Sequence, residues 1–254
     1  MSPTKGAPGP RGGLVGSVSH AMLAFLFPDA CLFCDGPLAR GERHLCALCR
    51  DGLDPRLHRV ALPPLGDLAQ QGDGTYFVLP FDGPARSLVH ALKYGGRTSI
   101  APELAGIALP AARQLAPAGL CSVVAVPLHR VRLRERGFNQ SALVAREIAR
   151  GLGVALRPAL ERARATRTQT VLSREERTKN VADAFRAEGA CEGRRILLVD
   201  DVVTTGATFR AAALTLLAAG ALSVTCLAIT GDVLEHRGDG LPTVRRDPRN
   251  PETG

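Results

Sequence analysis

The sequence predicts an α/β protein, an open and mostly parallel sheet preceded by a small four-cysteine module. Three observations carry this. From about Tyr76 to Ile229, short apolar runs alternate with amphipathic stretches, the pattern of strands joined by crossover helices. One of those runs leads into a carboxylate pair and a Thr-Thr-Gly turn that opens a helix, at the place where open parallel sheets take ligands. Four of the seven cysteines fall in two Cys-x2-Cys pairs, a spacing of metal modules.

Residues 1–16 form a Gly/Pro-rich tail expected to be disordered. Segment 17–60 is read as a short apolar helix over 17–27 followed by the cysteine module. Leu14–Phe27 superficially resembles a secretory signal, but His20 interrupts it and Pro28-Asp29-Ala30 is a poor cleavage site. In Cys31-x2-Cys34 and Cys46-x2-Cys49 each tight turn presents two thiolates, and two facing turns complete a tetrahedron. Zn2+ is satisfied by four thiolates with no open position, so the metal expected here is structural. Two disulfides or four free thiols are the alternatives. The odd total, with Cys121, Cys191 and Cys226 scattered, favours a reducing compartment and therefore a metal. Such a ribbon is too small to bury a core, so the metal supplies most of its folding energy. A linker, 61–75, contains Pro63-Pro64 and Gly72-Asp73-Gly74, and the larger domain runs over 76–234. The charged, Pro/Gly-rich tail 235–254 is expected to be disordered.

In the larger domain Thr75–Leu79 reads as a strand and Pro84–Leu92 as a helix. Ser122–Val126 is a buried strand ended by Pro127. Ser141–Ala149 is a helix with Asn139 as N-cap. Ile196–Val199 is a second buried strand, with Asp200 and Asp201 where it ends. Phe209–Ala219 is a helix ended by Gly220, and Ser223–Ile229 is the next strand. The stretch 195–208 is the most specific. Backbone N–H groups of 205–208 at a helix N-terminus point at one anion. The hydroxyls of Thr204, Thr205 and Thr208 add donors, and Gly206 lets the backbone approach closely. Two adjacent aspartates suit a vicinal diol. A phosphate beside a diol describes a ribose 5-phosphate. A plain strand-to-helix turn with an Asp cap explains one Asp and one Thr but not the whole set, and no Gly-Lys-Ser/Thr of a Walker loop is present.

The 32 Lys and Arg against 24 Asp and Glu give a net charge of +8. Residues 130–179 hold twelve Arg and one Lys against five Glu, so the surplus lies there and points to a phosphate or polyanion partner. Arg130, Arg132, Arg134 and Arg136 either line one side of an extended loop, attracting pyrophosphate or a nucleic-acid backbone, or form a solvated run. Lys93 either contacts a substrate phosphate or terminates a helix. Trp is absent and aromatics are 4% of the chain, so a base-stacking platform is poorly supplied. No apolar run is long enough to span a membrane.

The hydrophobic–acidic-pair–TTGxT loop resembles the signature of the type I phosphoribosyltransferases, which bind phosphoribosyl pyrophosphate (PRPP). The resemblance implies a catalytic pair, Asp200 and Asp201, on the ribose hydroxyls. It places Thr204, Thr205, Gly206, Ala207 and Thr208 on the 5'-phosphate, Leu128 and His129 as backbone toward the pyrophosphate, and Mg2+ bridging pyrophosphate and ribose. His129 is otherwise an ordinary loop histidine. Position 204 is Thr, where purine-salvage members carry Asp, which argues against a purine acceptor. Residues 163–180, with Arg164, Arg167 and Gln169 facing the ligand, are either the loop that closes over PRPP or a charged surface loop.

Further blocks are Ala91-Leu92-Lys93-Tyr94-Gly95-Gly96, Val126-Pro127-Leu128-His129, Arg136-Gly137-Phe138-Asn139-Gln140, and Arg164 to Gln169 followed by Arg177 to Asn180 and Phe185. With the cysteine ribbon in front, they resemble the ComF/GntX family over about 25–230. This implies a cytoplasmic bacterial protein that binds PRPP or a related ribose 5-phosphate ligand and serves single-stranded DNA import during natural transformation. Implied partners are single-stranded DNA and a competence helicase or other import proteins. The acceptor is not implied. The alternative is a non-catalytic PRPP- or nucleotide-sensing module, or a single-stranded-DNA-binding one.

Overall fold

The computed structural model describes residues 30–60, 74–162, 184–188, 191–232, 234–236 and 242–244. The expected helix 17–27, most of the linker 61–75 and the loop bearing Arg164, Arg167 and Gln169 lie outside these residues. So do 1–16 and 245–254 of the tails.

The cysteine module contains one short helix, α1 (Ala47–Asp51), and leads into β1 (His58–Val60). β2 (Thr75–Pro80), α2 (Gly83–Tyr94) and α3 (Ala101–Leu115) follow. Then come β3 (Leu120–Ala125), α4 (Arg130–Arg136), α5 (Gln140–Leu152) and β4 (Ala155–Leu156). β5 (Leu160–Arg162) pairs antiparallel with β6 (Phe185–Ala187). β7 (Arg195–Val203), α6 (Ala207–Ala218) and β8 (Ser223–Gly231) complete the main layers, and β9 (Leu234–His236) pairs antiparallel with β10 (Pro242–Val244).

Six strands form the main sheet in the order β1-β2-β8-β7-β3-β4. β2, β8, β7, β3 and β4 are mutually parallel, and β1 joins antiparallel at one edge. The central strands carry apolar runs, Ile196–Val199 in β7 and Cys226–Ile229 in β8, because both faces are covered. Leu197, Val199, Leu227 and Ile229 face a cluster with α2, α3 and α5. Ile196, Leu198, Cys226 and Ala228 face another with α6. This is the two-residue alternation of a pleated strand.

The chain leaves β3 through α5 toward β4, and leaves β7 through α6 toward β8, on opposite faces and in opposite directions. The carboxyl ends of β3 and β7 therefore flank a topological switch point, where open sheets form a crevice.

The cysteine module rests on the α2/α3 side. Leu45 and Cys31 are fully buried in that cluster. At the seam the buried His44 bonds through Nδ1 to Glu103 Oε2 of α3 at 2.7 Å and through Nε2 to Ser99 Oγ at 3.1 Å.

Two expectations are corrected. Asp200 and Asp201 do not stand where their strand ends. β7 continues to Val203, because β8 is equally long and pairs with it through Val203↔Gly231. The arginine run is not an extended loop either. It is helix α4, opened by His129, whose Nδ1 accepts from Val131 N, and closed by Gly137 at φ 76°. On a helix the alternation no longer lines one side. Arg130 and Arg134 share one face and Arg132 and Arg136 another, as residues four apart do.

Candidate functional site

Asp200 and Asp201 lie within β7, three and two residues before its end. The two carboxylates make different bonds. Asp201 is 4% exposed. Its Oδ2 lies 2.9 Å from Lys93 Nζ of α2, and its carbonyl accepts from Thr230 Oγ1 of β8 at 3.0 Å. Asp200 Oδ1 accepts from Ser141 Oγ at 2.6 Å and from the Asp201 backbone N–H at 2.9 Å. Burial and then the adjacent Asp201 carboxylate push Asp200 up from 3.8 to about 7, outweighing the bonds from Ser141 and Asp201 N–H and the Lys93 charge.

The other wall of the crevice is the β3–α5 connection. Asn139 caps α5 by accepting from Ser141 N and Ala142 N, while its Nδ2 donates to Val126 O at 3.0 Å. One side chain thus ties the end of β3 to the start of α5 and sets Ser141 opposite Asp200. Leu128 and His129 stand between these elements, half-buried.

Beyond β7, Thr204 and Thr205 are exposed and Gly206 is buried. Gly206 takes φ 71° as the N-cap of α6, a left-handed conformation that suits glycine. Thr205 Oγ1 accepts from Ala207 N at 3.4 Å. Thr204, Thr205 and Gly206 therefore form a turn that leads straight into the helix N-terminus, which Ala207 and Thr208 open.

Lys93 is in the last turn of α2, as the helix-terminating reading expects, and it also reaches Asp201. Arg132 and Arg136 border a cleft with Lys93 and Tyr94, whereas Arg134 does not. Arg130 pairs with Glu161. Two residues that sequence reasoning did not single out belong here. Ser141 holds Asp200. Arg162, half-buried at the end of β5, is lowered chiefly by burial, with the Asp200 charge opposing and Arg132 adding to the shift. Ser141 follows a capping Asn, which was a usable signal; Arg162 is one arginine among many and had none.

Cys31, Cys34, Cys46 and Cys49 converge, all four sulfurs within 4.8 Å of one another. Cys34 Sγ and Cys46 Sγ are 3.8 Å apart. A tetrahedral zinc with bonds of about 2.3 Å separates its sulfurs by about 3.8 Å, against about 2.05 Å in a disulfide. All seven cysteines are free. Burial raises the Cys31 thiol, but N–H groups of Cys34, Cys46 and Phe33 outweigh it and bring it down to about 6. The set fits a metal ion. Among the described residues no helix is long and apolar enough to cross a membrane.

Residues 139–239 match the phosphoribosyl transferase domain. DNA utilization protein YhgH of Escherichia coli strain K12 is 36% identical over 222 residues, covering 80% of this chain and 98% of that one. Competence protein F of Haemophilus influenzae is 36% identical over 91 residues, covering 34% and 40% respectively. Among solved structures, the allosteric regulatory enzyme of purine biosynthesis shares 26% identity at a TM-score of 0.34, covering 50% of this chain and 25% of that one.

Proposed function

Because the chain belongs to the ComF/GntX family of phosphoribosyl transferase-domain proteins, we propose that it binds PRPP in the crevice between β3 and β7 and transfers the phosphoribosyl group to an acceptor. The observation that carries this is the half-buried Asp200 and buried Asp201 followed, at a switch point, by a Thr-Thr-Gly turn into a helix N-terminus. The turn Thr204, Thr205, Gly206, Ala207 and Thr208 takes the 5'-phosphate through backbone N–H groups and hydroxyls. Asp200 and Asp201 accept from the ribose hydroxyls and offset positive charge developing at C1'. Leu128 and His129 face the pyrophosphate from the other wall. The bond from C1' to the pyrophosphate oxygen breaks, and its electron pair leaves with pyrophosphate. The acceptor's nucleophile bonds to C1' and gives its proton to solvent.

In the free protein Lys93 and Ser141 already engage the acidic pair. Magnesium therefore fits as part of the incoming donor, where it supplies positive charge that neutralises the pyrophosphate and supports the ionised pair. Zinc is the metal we assign to the four cysteines, in a structural role. Seven free cysteines support a cytoplasmic setting.

The relatives' names, DNA utilization protein and competence protein, support a DNA-linked role; single-stranded DNA uptake, with a helicase or another import protein as partner, is the form of it that the family resemblance implies. Exposed Arg130, Arg132 and Arg134 on α4 suit backbone phosphates without sequence preference. A non-catalytic PRPP sensor uses the same residues without turnover. Calorimetry with PRPP and Mg2+ tests the reading. The unmodified protein binds, and Asp200→Asn/Asp201→Asn loses binding by tenfold or more; equal affinity in the double variant overturns it. Pyrophosphate release across a panel of bases and amines separates the enzyme from the sensor.

A further inference from the structure

A cleft of about 450 Å3 opens beside the acidic pair, walled by Lys93, Tyr94, Arg132, Glu135, Arg136 and Phe138. Its separation from Asp201 is a single side chain. Lys93 is 17% exposed and its Nζ sits 2.9 Å from the Asp201 carboxylate.

The lining has two chemistries. One is cationic: Arg132 and Arg136 face one acid, Glu135, and the Lys93 charge is already matched by Asp201. Arg136 is held in place, with Nη1 donating to Gln140 Oε1 at 3.0 Å. The other is aromatic. Tyr94 is 70% exposed, an unusual burden for so large a ring. The Arg136 guanidinium lies 5.0 Å from its centroid, and Phe138 joins it in the cleft wall. A guanidinium held over an open aromatic ring makes a platform on which another planar group can stack while its acidic substituent meets arginine. The volume suits a small molecule.

We infer that this cleft seats the acceptor, and that the acceptor is a small aromatic ring carrying an acidic group, a phosphate or a carboxylate. The inference rests on the acidic pair holding the ribosyl donor and adds what that donor meets. The competing occupant is the donor's own pyrophosphate, which uses the arginines but has no use for an exposed tyrosine ring.

The test uses the full-length, metal-loaded protein and phenyl phosphate as probe, with inorganic phosphate and phenol as its two halves. Phenyl phosphate binds at least tenfold more tightly than either half, and still binds when PRPP and Mg2+ are saturating. Tyr94→Ala weakens phenyl phosphate by about tenfold, the scale of one stacked ring, and leaves inorganic phosphate unchanged. Tyr94→Phe, which keeps the ring, restores binding, and Arg136→Gln weakens phenyl phosphate and inorganic phosphate alike. Phenyl phosphate binding no better than inorganic phosphate, a Tyr94→Ala variant indistinguishable from the parent, or simple displacement of the probe by pyrophosphate overturns the inference. PRPP affinity, measured alongside, reads the donor site separately: failure of the unmodified protein to bind PRPP sinks the ribosyl reading, whatever Tyr94 does.

Discussion

Asp200 is held in a state that suits its neighbours better than its own charge. Folding raises it from 3.8 to about 7, through burial and then the Asp201 charge. A carboxyl raised on folding contributes stability that is fully present below its unfolded value and is lost as pH rises through the folded one. The protein is therefore expected to lose stability between about pH 4 and 7 on account of this residue. Asp200→Asn removes the group that must ionise. It should be about 4 kcal/mol more stable than the parent at pH 8 and nearly equal at pH 4, while binding PRPP poorly. Urea unfolding of both proteins at the two pH values checks this, and parallel curves for parent and variant refute it. The acidic pair and its turn were legible in the sequence because several uncommon residues had to coincide. Which carboxylate meets Lys93 and which meets Ser141 was not, since both partners come from segments far away in the chain, and only the packing of α2 and α5 brings them to the end of β7.

At the level of elements, packing decided what periodicity left open. The alternating arginines of α4 allow either one side of an extended loop or a solvated run. The His129 cap and Gly137 at φ 76° make it a single helical segment instead. α3 went unread behind Pro102 and Pro110, though Leu104, Ala105, Ala108, Ala111 and Ala112 trace a buried stripe. β7 is longer than its apolar run because β8 pairs it beyond the carboxylates. That pairing ends at Gly231, where an added Cβ would lie 2.6 Å from the Phe77 ring and 2.9 Å from Val203. Gly231→Val is expected to destabilise the protein by about 1–3 kcal/mol through overpacking, and the thermal midpoint measures it. The cysteine module is predicted to depend on its metal. Cys46→Ser leaves three thiolates, so elemental analysis should find the metal lost and proteolysis should cut within 30–60; full metal content in that variant refutes the four-cysteine site.

The molecule as a whole is two differently stabilised parts sharing one core. Sequence reasoning separated them by the linker's prolines and glycines, and composition could not reveal that Leu45 and Cys31 sit in the same cluster as Leu104 of α3. The seam is fastened by His44, buried at 6% exposure and bonded to Glu103 and Ser99. His44→Ala strands the Glu103 carboxylate, which keeps only Arg50 at 3.6 Å. It should cost about 1–3 kcal/mol and speed cleavage of the module without releasing its metal; an unchanged midpoint and cleavage rate refute the clamp. The same seam has a bearing on how the protein is made. Chains leave the ribosome N-terminus first, and Glu103 follows His44 by 59 residues. The newborn cysteine turns therefore wait for their floor, and in that interval the ion assigned to them is what would hold them. A cell short of that ion would be expected to fail in completing new copies well before it damages those already folded.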